Sequence, residues 1–145
     1  MQQINDFLKA SNRELLDYQT QALLAYESGQ HGVIEAPTGR GKTLALFLAI
    51  LNHYLIQKKV EKLIWITPMR ALVADTLMQI ENAIKFINPD IKLMQRTSDT
   101  SSYQKAKLRK SDWDILITTP ESCSVLGTHE EMVSQFKQVR LIVID

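Results

Sequence analysis

The segment APTGRGKT, residues 36 to 43, combines glycines, a lysine and a threonine at a spacing that could hold a phosphate. Gly39 and Gly41 lack a Cβ, so their backbone can turn N–H groups inward around an anion. Lys42 supplies a mobile positive charge, and the hydroxyl of Thr43 could contact Mg²⁺. These residue types predict a nucleotide-binding P-loop. The alternative is a glycine-containing turn with a solvated lysine.

The final run of the sequence, LIVID, is an apolar segment that ends in Asp145. Nucleotide hydrolysis needs a carboxylate that holds Mg²⁺ at the end of a strand near the P-loop, and Asp145 is the Walker B candidate for that role. The alternative is a plain strand-terminal aspartate. A glutamate that positions water would follow at position 146, so we expect the catalytic site to be incomplete and the chain to be a fragment of a longer protein.

Five short runs rich in apolar residues predict strands, and helical segments separate them. Several runs are apolar at successive positions, which is typical of a parallel sheet covered on both faces. The sequence therefore predicts an α/β fold in which Leu44–Leu51 lies in a largely buried central helix. One apolar stripe along a second helix is formed by Val73, Leu77, Ile80, Ile84 and Ile87. The predicted strands are GVIEA (32–36), KLIWIT (62–67), IKLMQRT (91–97), DILITT (114–119) and LIVID (141–145).

The net charge and the cysteine content limit which binding partners and which cellular compartment suit the protein. The net charge is +1, so any contact with nucleic acid has to come from a local basic patch. The one cysteine, Cys123, cannot form an internal disulfide, which favours the cytoplasm. No window contains the roughly 20 apolar residues of a membrane span. We expect a cytoplasmic protein with no membrane partner.

Four segments in order, APTGRGKT, TPMRALVAD, TTPES and LIVID, resemble motifs I, Ia, Ic and II of superfamily 2 helicases. The segments LIWITPMRALVADT, RTSDTS and ILITTPES most closely resemble the DNA ligase-associated DEXH-box helicases of the large helicase-related family. The resemblance implies a mostly parallel RecA-like sheet flanked by helices and cut off after the Walker B strand. Residues 1–145 would be the N-terminal part of motor domain 1, with a Q-motif region at about 12–30 and the P-loop at 36–43.

The resemblance also assigns roles to individual residues. Gln19, beside Tyr18, matches the glutamine that reads adenine; a solvated helix residue is the alternative. Arg70 and Thr119 match residues that contact the nucleic-acid backbone, although Arg70 could be a surface residue and Thr119 suits a helix N-cap. Lys42 and Asp145 are the catalytic candidates, with Thr43 and Asp145 as Mg²⁺ ligands. The expected ATP-binding residues are Gln19, Ala36, Pro37, Thr38, Gly39, Arg40, Gly41, Lys42 and Thr43.

Four further residues carry separate expectations. Ser98 in RTSDT replaces a glycine common in similar proteins, which puts the loop geometry in doubt. Cys123 is expected to be a small buried hydrophobic residue without thiolate activation. Trp65 is expected in the core, and Trp113 is expected to be partly exposed.

The resemblance implies an ATP- and Mg²⁺-dependent DNA helicase or translocase that moves on single-stranded DNA in repair. A second motor domain in cis, a DNA ligase and a nuclease are the implied partners. Two alternatives stay open: a nucleotide-binding fragment without turnover, and an RNA helicase of the same superfamily. The isolated 145-residue chain is expected to be inactive or nearly so.

Overall fold

The computed structural model describes residues 2–37, 39–57, 61–87 and 90–145. The described residues form seven helices and four strands. In chain order these are α1 (Gln2–Ala10), α2 (Asp17–Glu27), α3 (Lys42–Gln57), β1 (Lys62–Ile66), α4 (Arg70–Ile87), β2 (Leu93–Arg96), α5 (Ser102–Lys110), β3 (Ile115–Thr118), α6 (Pro120–Leu126), α7 (Glu130–Phe136) and β4 (Val139–Ile144).

The chain divides into two compact units. The first contains Met1–Lys59 and Asn82–Pro89, and the second contains Val60–Glu81 and Asp90–Asp145. Helices α1, α2 and α3 therefore belong to the first unit. The sheet and helices α5, α6 and α7 belong to the second.

All four strands of the second unit are parallel, in the order β2-β3-β1-β4. Residues of β1 and β3 are buried at successive positions, because neither face of these central strands is left to solvent. The predicted parallel α/β sheet is therefore confirmed, and four of the predicted strands coincide with β1, β2, β3 and β4.

The fifth predicted strand, GVIEA at 32–36, is wrong. These residues are irregular, and Val33 is 94% exposed. A strand persists only when its backbone groups are hydrogen-bonded to a neighbour, and among the described residues no strand pairs with this segment. Apolar composition alone does not supply that partner.

Helix α3 is the most deeply buried helix of the first unit, as its run of apolar residues predicts. Leu44, Phe47, Leu48 and Leu51 are each at most 5% exposed. Asn52 on the same helix is also buried and donates a hydrogen bond from Nδ2 to Oε1 of Glu27 on α2. Burial on several sides fixes the helix that directly follows the P-loop.

One face of the sheet packs on helices α5, α6 and α7 through a core that contains Trp113. The other members of this core are Ile64, Leu108, Leu116, Leu126 and Met132. Trp113 is fully buried, so the prediction of partial exposure is wrong. Lys62 covers its ring, with Nζ at 4.7 Å from the ring centre, and Nζ donates to the carbonyl oxygen of Trp113 and to Asp112. Trp65 is buried, as predicted.

Candidate functional site

The P-loop lies directly before α3 and depends on two glycines in the left-handed region. Gly39 has a φ of +74° and Gly41 a φ of +80°. Residues with a Cβ rarely adopt these angles, so both positions favour glycine. Thr38, which was predicted to bind ATP, lies outside the described residues.

Lys42 closes the loop on itself. Its Nζ lies 2.6 Å from the carbonyl oxygen of Ala36 and 3.2 Å from that of Pro37. Helix α3 begins at Lys42, and the N–H of Ala45 donates to the carbonyl oxygen of Gly41. The positive end of the helix dipole and the lysine charge therefore both act at the loop, which favours an anion there. Thr43 occupies the first turn of the same helix.

Gln19 connects α2 to the loop. Its Oε1 accepts a hydrogen bond from the N–H of Leu16 at 2.9 Å, and its Nε2 donates to the carbonyl oxygen of Gly41 at 3.2 Å. Only 6% of the residue is exposed, so the solvated alternative for Gln19 is wrong. This bond satisfies the backbone N–H of Leu16, the N-cap residue of α2, which has no side-chain acceptor of its own. Reading of adenine by Gln19 stays a prediction.

Tyr18 adds a second link between the same two elements. Its hydroxyl donates a hydrogen bond to the carbonyl oxygen of Arg40. Neighbouring residues of α2 therefore fix the loop at Arg40 and at Gly41, the two positions that precede α3. In both hydrogen bonds the donor and the acceptor are 22 residues apart in the sequence, so local sequence patterns could not predict them.

Asp145 directly follows β4 at the carboxyl end of the sheet. Its N–H donates to the carbonyl oxygen of Ile66 at 2.9 Å, which continues the pairing of β4 with β1. Its Oδ2 accepts a hydrogen bond of 3.4 Å from Nε1 of Trp65. Trp65 therefore has a polar contact with the Walker B candidate that sequence reasoning missed.

A groove of about 560 Å³ in the second unit contains both predicted nucleic-acid-binding residues, Arg70 and Thr119. Arg70 is the first residue of α4, and Thr119 joins β3 to α6. The two positions are far apart in sequence, and the parallel strand order brings the loops that follow β1 and β3 to one edge. The groove is lined by Pro68, Met69, Arg70, Ala71, Ser98, Thr119, Glu121 and Ser122.

Arg70 has an ionic partner that sequence reasoning did not identify. Its Nη1 lies 2.6 Å from Oδ1 and 2.6 Å from Oδ2 of Asp99. The side chains are 59% and 69% exposed, respectively. Asp99 belongs to the RTSDT segment, so this segment contributes a charge to the groove through Arg70.

Thr119 is the N-cap of α6, as its sequence context suggests. Its Oγ1 accepts a hydrogen bond of 3.4 Å from the N–H of Ser122, and Pro120 occupies the first turn. The residue is only 5% exposed. The capping role is therefore present, while contact with a nucleic-acid phosphate stays a prediction.

The loop that contains Ser98 does not need glycine. Among the described residues other than glycine, only Asn12 has a positive φ, so Ser98 has a backbone conformation open to any residue. A bond of 2.9 Å from the N–H of Thr97 to Oγ1 of Thr100 closes the turn, and Lys105 Nζ donates to the carbonyl oxygen of Ser98. The glycine-to-serine difference leaves the turn intact.

Arg96, which begins the RTSDT segment, is buried at the end of β2. Its Nη1 donates to the carbonyl oxygen of Thr97, and Thr118 Oγ1 donates to the carbonyl oxygen of Arg96 at 2.8 Å. Burial and the nearby charge of Arg109 lower the pKa of Arg96. These contacts give Arg96 a structural role at the base of the turn.

Cys123 is half-buried and packs against the sheet core, and burial raises the pKa of its thiol. This agrees with the expected hydrophobic role. In the described part of the chain, no group of three His, Cys, Asp or Glu residues could hold a metal ion. No helix within the described ranges is both long and apolar enough to cross a membrane.

Comparison with known proteins gives consistent matches. The DEAD/DEAH box helicase family matches residues 16–145. The ATP-dependent helicase Lhr-Core protein 2 of Thermococcus barophilus is 34% identical over 143 residues, which cover 88% of this chain and 17% of that protein.

Solved structures agree with these sequence matches. The DUF1998 helicase MrfA bound to DNA and AMPPNP has a TM-score of 0.86 at 30% identity, covering 100% of this chain and 20% of that one. The Mycobacterium smegmatis helicase Lhr bound to ssDNA and AMP-PNP has a TM-score of 0.81 at 25% identity, covering 97% and 19%. The matches confirm the RecA-like α/β fold.

The chain spans less than a fifth of the length of the first curated relatives that it matches. Those relatives are ATP-dependent helicases. The family match covers the P-loop, both groove residues and Asp145. The chain therefore belongs to the DEAD/DEAH box helicase family.

Proposed function

We propose that the chain is the N-terminal part of motor domain 1 of an ATP-dependent DNA helicase or translocase that moves on single-stranded DNA in repair. The observation that carries the proposal is the P-loop. Gly39 and Gly41 have left-handed backbones, and the Lys42 ammonium lies against the loop carbonyls at the start of α3. Solved relatives that contain AMPPNP and DNA support both ligands.

The loop residues have the chemistry to bind the phosphates of ATP. A phosphate that enters the loop offers Lys42 a charged acceptor in place of the neutral carbonyl oxygens of Ala36 and Pro37, and charge-assisted hydrogen bonds are the stronger ones. The N-terminus of α3 adds its dipole. Nε2 of Gln19 donates a hydrogen bond to the carbonyl oxygen of Gly41. We assign to the same side-chain amide the further role of reading adenine.

The residues proposed to hold Mg²⁺ fit that ion. Thr43 offers a hydroxyl oxygen and Asp145 a carboxylate oxygen, which are the hard ligands that Mg²⁺ prefers. Mg²⁺ keeps several waters and uses substrate phosphates as ligands, so it needs only one or two oxygen ligands from the protein. When bound, the ion would neutralise charge on the phosphate oxygens.

The groove of the second unit is the proposed site for a single-stranded DNA backbone. Arg70 has five N–H donors that suit phosphate oxygens, and Thr119 lies at the N-terminus of α6. Contacts of this kind hold the strand without reading its sequence. The solved relatives bound to DNA and to ssDNA support this assignment.

The remaining partners and the compartment follow from the resemblance and from composition. We extend the proposal to a second motor domain in cis, and to a DNA ligase and a nuclease that act in the same repair process. The single cysteine supports a cytoplasmic location. The Q-motif region of about 12–30 and the P-loop of 36–43 would form the nucleotide end of the domain.

The test is Lys42→Ala in the full-length protein, with Lys9→Ala on the exposed face of α1 as the matched control. We expect Lys42→Ala to abolish ATP turnover and to leave binding of single-stranded DNA largely intact, whereas Lys9→Ala should retain both. Unchanged turnover in Lys42→Ala would show that the loop is not the hydrolytic site.

The preference for DNA over RNA is tested separately. ATP turnover of the full-length protein is measured with single-stranded DNA and with RNA of the same sequence. Stronger stimulation by DNA supports the proposal, and stronger stimulation by RNA would assign the protein to the RNA helicases. Absence of turnover with both strands would favour a nucleotide-binding module.

A further inference from the structure

We propose that Asp99 competes with a nucleic-acid phosphate for Arg70, so that a strand enters the groove by displacing an internal carboxylate. The inference rests on the proposed function of the groove. It starts from the contact in which both carboxylate oxygens of Asp99 lie 2.6 Å from Nη1 of Arg70. A carboxylate at this position occupies the donor that a phosphate oxygen would otherwise take.

The charges at the groove give this competition a direction. Arg70 is the cation that lines the groove, and Glu121 lines it as an anion. While Asp99 neutralises Arg70, Glu121 is the remaining charge among the lining residues and disfavours a phosphate, an effect that the Lys105 ammonium on the carbonyl oxygen of Ser98 partly offsets. Once Arg70 turns to a phosphate, its charge is available to the strand. The binding-competent groove is therefore the one in which the internal ion pair is open.

The ion pair can open at low cost. Both side chains are more than half exposed, and exposed ion pairs contribute only about 0–1 kcal/mol. Only Nη1 of Arg70 is bonded to Asp99, and no hydrogen bond from Nε or Nη2 is seen to the described residues. A phosphate can therefore bind these free donors before Asp99 leaves, which avoids a step in which the guanidinium has no partner.

Asp99 stays beside the groove after it is displaced. The turn that carries it is closed by the bond between Thr97 and Thr100, and the bond from Lys105 to the carbonyl oxygen of Ser98 ties it to α5. A competitor tethered at this distance has a high effective concentration, so it returns to Arg70 when the strand leaves. Asp99 would thus promote release of the strand.

The main test is Asp99→Asn in the full-length protein, with binding of a fluorescent single-stranded oligonucleotide measured by anisotropy over a range of KCl concentrations. The strand no longer has to break the exposed ion pair between Asp99 and Arg70, so we expect roughly two- to five-fold tighter binding of the oligonucleotide. The substitution also predicts a steeper salt dependence. In the native protein the displaced carboxylate stays near the strand and its repulsion is screened by salt, whereas the variant lacks this repulsion, so the slope should steepen by less than the roughly 0.7 of one full phosphate contact.

Two further variants separate competition from a general charge effect. Glu121→Gln removes a groove carboxylate that has no ion pair with Arg70 among the described residues, so its effect on affinity and on slope should be the same with Arg70 present and in an Arg70→Ala background. In an Arg70→Ala background, Asp99→Asn should change the slope no more than Glu121→Gln does. A slope change that survives there at its full size would overturn the proposal.

The outcomes distinguish the inference from the function on which it rests. If Arg70→Ala does not weaken binding, the groove is not the strand site and the proposed function of Arg70 fails. If Arg70→Ala weakens binding while Asp99→Asn weakens it as well, Asp99 holds Arg70 in place, and the competition is refuted although the groove is retained.

Discussion

Gly41→Ala tests how the P-loop is held against α2. The φ of +80° places a new alanine in the left-handed region, which costs about 1–2 kcal/mol. The added Cβ would also lie 3.2 Å from Nε2 of Gln19, tighter than most such contacts. Nε2 of Gln19 must then shift by a few tenths of an ångström, which weakens its 3.2 Å hydrogen bond to the carbonyl oxygen of Gly41 and costs up to about 1 kcal/mol more. We expect a total loss of about 2–3 kcal/mol in the free energy of unfolding.

Gly39→Ala is the matched control for this change. Its φ of +74° imposes a similar backbone cost, but a Cβ there would meet nothing within 4 Å. We therefore expect Gly39→Ala to lower the free energy of unfolding by only about 1–2 kcal/mol. Urea unfolding of the chain without nucleotide, followed by circular dichroism, measures both variants.

A double-mutant cycle with Gln19→Ala isolates the contact itself. Without the glutamine amide, the Cβ at position 41 has room, so the extra cost of Gly41→Ala should disappear and the coupling should be about 1 kcal/mol. Equal losses in Gly39→Ala and Gly41→Ala, or an unchanged cost in the Gln19→Ala background, would refute the role of Gln19 in holding the loop.

Three further predictions concern the second unit. Asp112→Asn removes the charged partner of the buried Lys62 ammonium, which keeps the carbonyl oxygen of Trp113, so we expect a cost of about 1 kcal/mol at neutral pH. The hydrogen bond from Lys62 lowers the pKa of Asp112 below 3.8, so this contribution is lost as pH falls below that value, and urea unfolding as a function of pH should show a shallower acid decline in the variant. Because burial raises the pKa of the Cys123 thiol, native protein should react with iodoacetamide more slowly than urea-unfolded protein, and equal rates would contradict this burial. Thr119→Ala should cost about 1 kcal/mol through loss of the bond from Ser122, while Thr119→Ser should retain it; equal urea midpoints would contradict the cap.

The parts of the fold that follow from local pattern were predictable. The runs of apolar residues in β1 and β3 indicated strands buried on both faces, and the successive apolar residues after the P-loop indicated the buried helix α3. In each case the neighbouring residues along the chain determine the environment. The segment 32–36 also contains apolar residues in succession but fails as a strand, because pairing depends on a distant neighbour that composition does not reveal.

The site was predictable in its residue types and less so in its contacts. Trp113 was expected to be partly exposed, yet Lys62 reaches it from 51 positions away and covers its ring. Asp99 lies 29 positions from Arg70, so no spacing rule connected the two charges. Interactions between side chains far apart in sequence follow from tertiary packing, which a single sequence specifies only indirectly.

The amide of Gln19 bonds to two backbone groups that belong to different elements, the N–H of Leu16 at the start of α2 and the carbonyl oxygen of Gly41 in the P-loop. Any movement of the loop that pulls on this side chain also exposes the Leu16 N–H to solvent. The deuterium uptake of that single backbone amide therefore records how often the loop departs from its resting position. Deuterium uptake at the amide of Leu16 thus reports movement of the P-loop at Gly41, which lies 25 positions away in the sequence, without an added label.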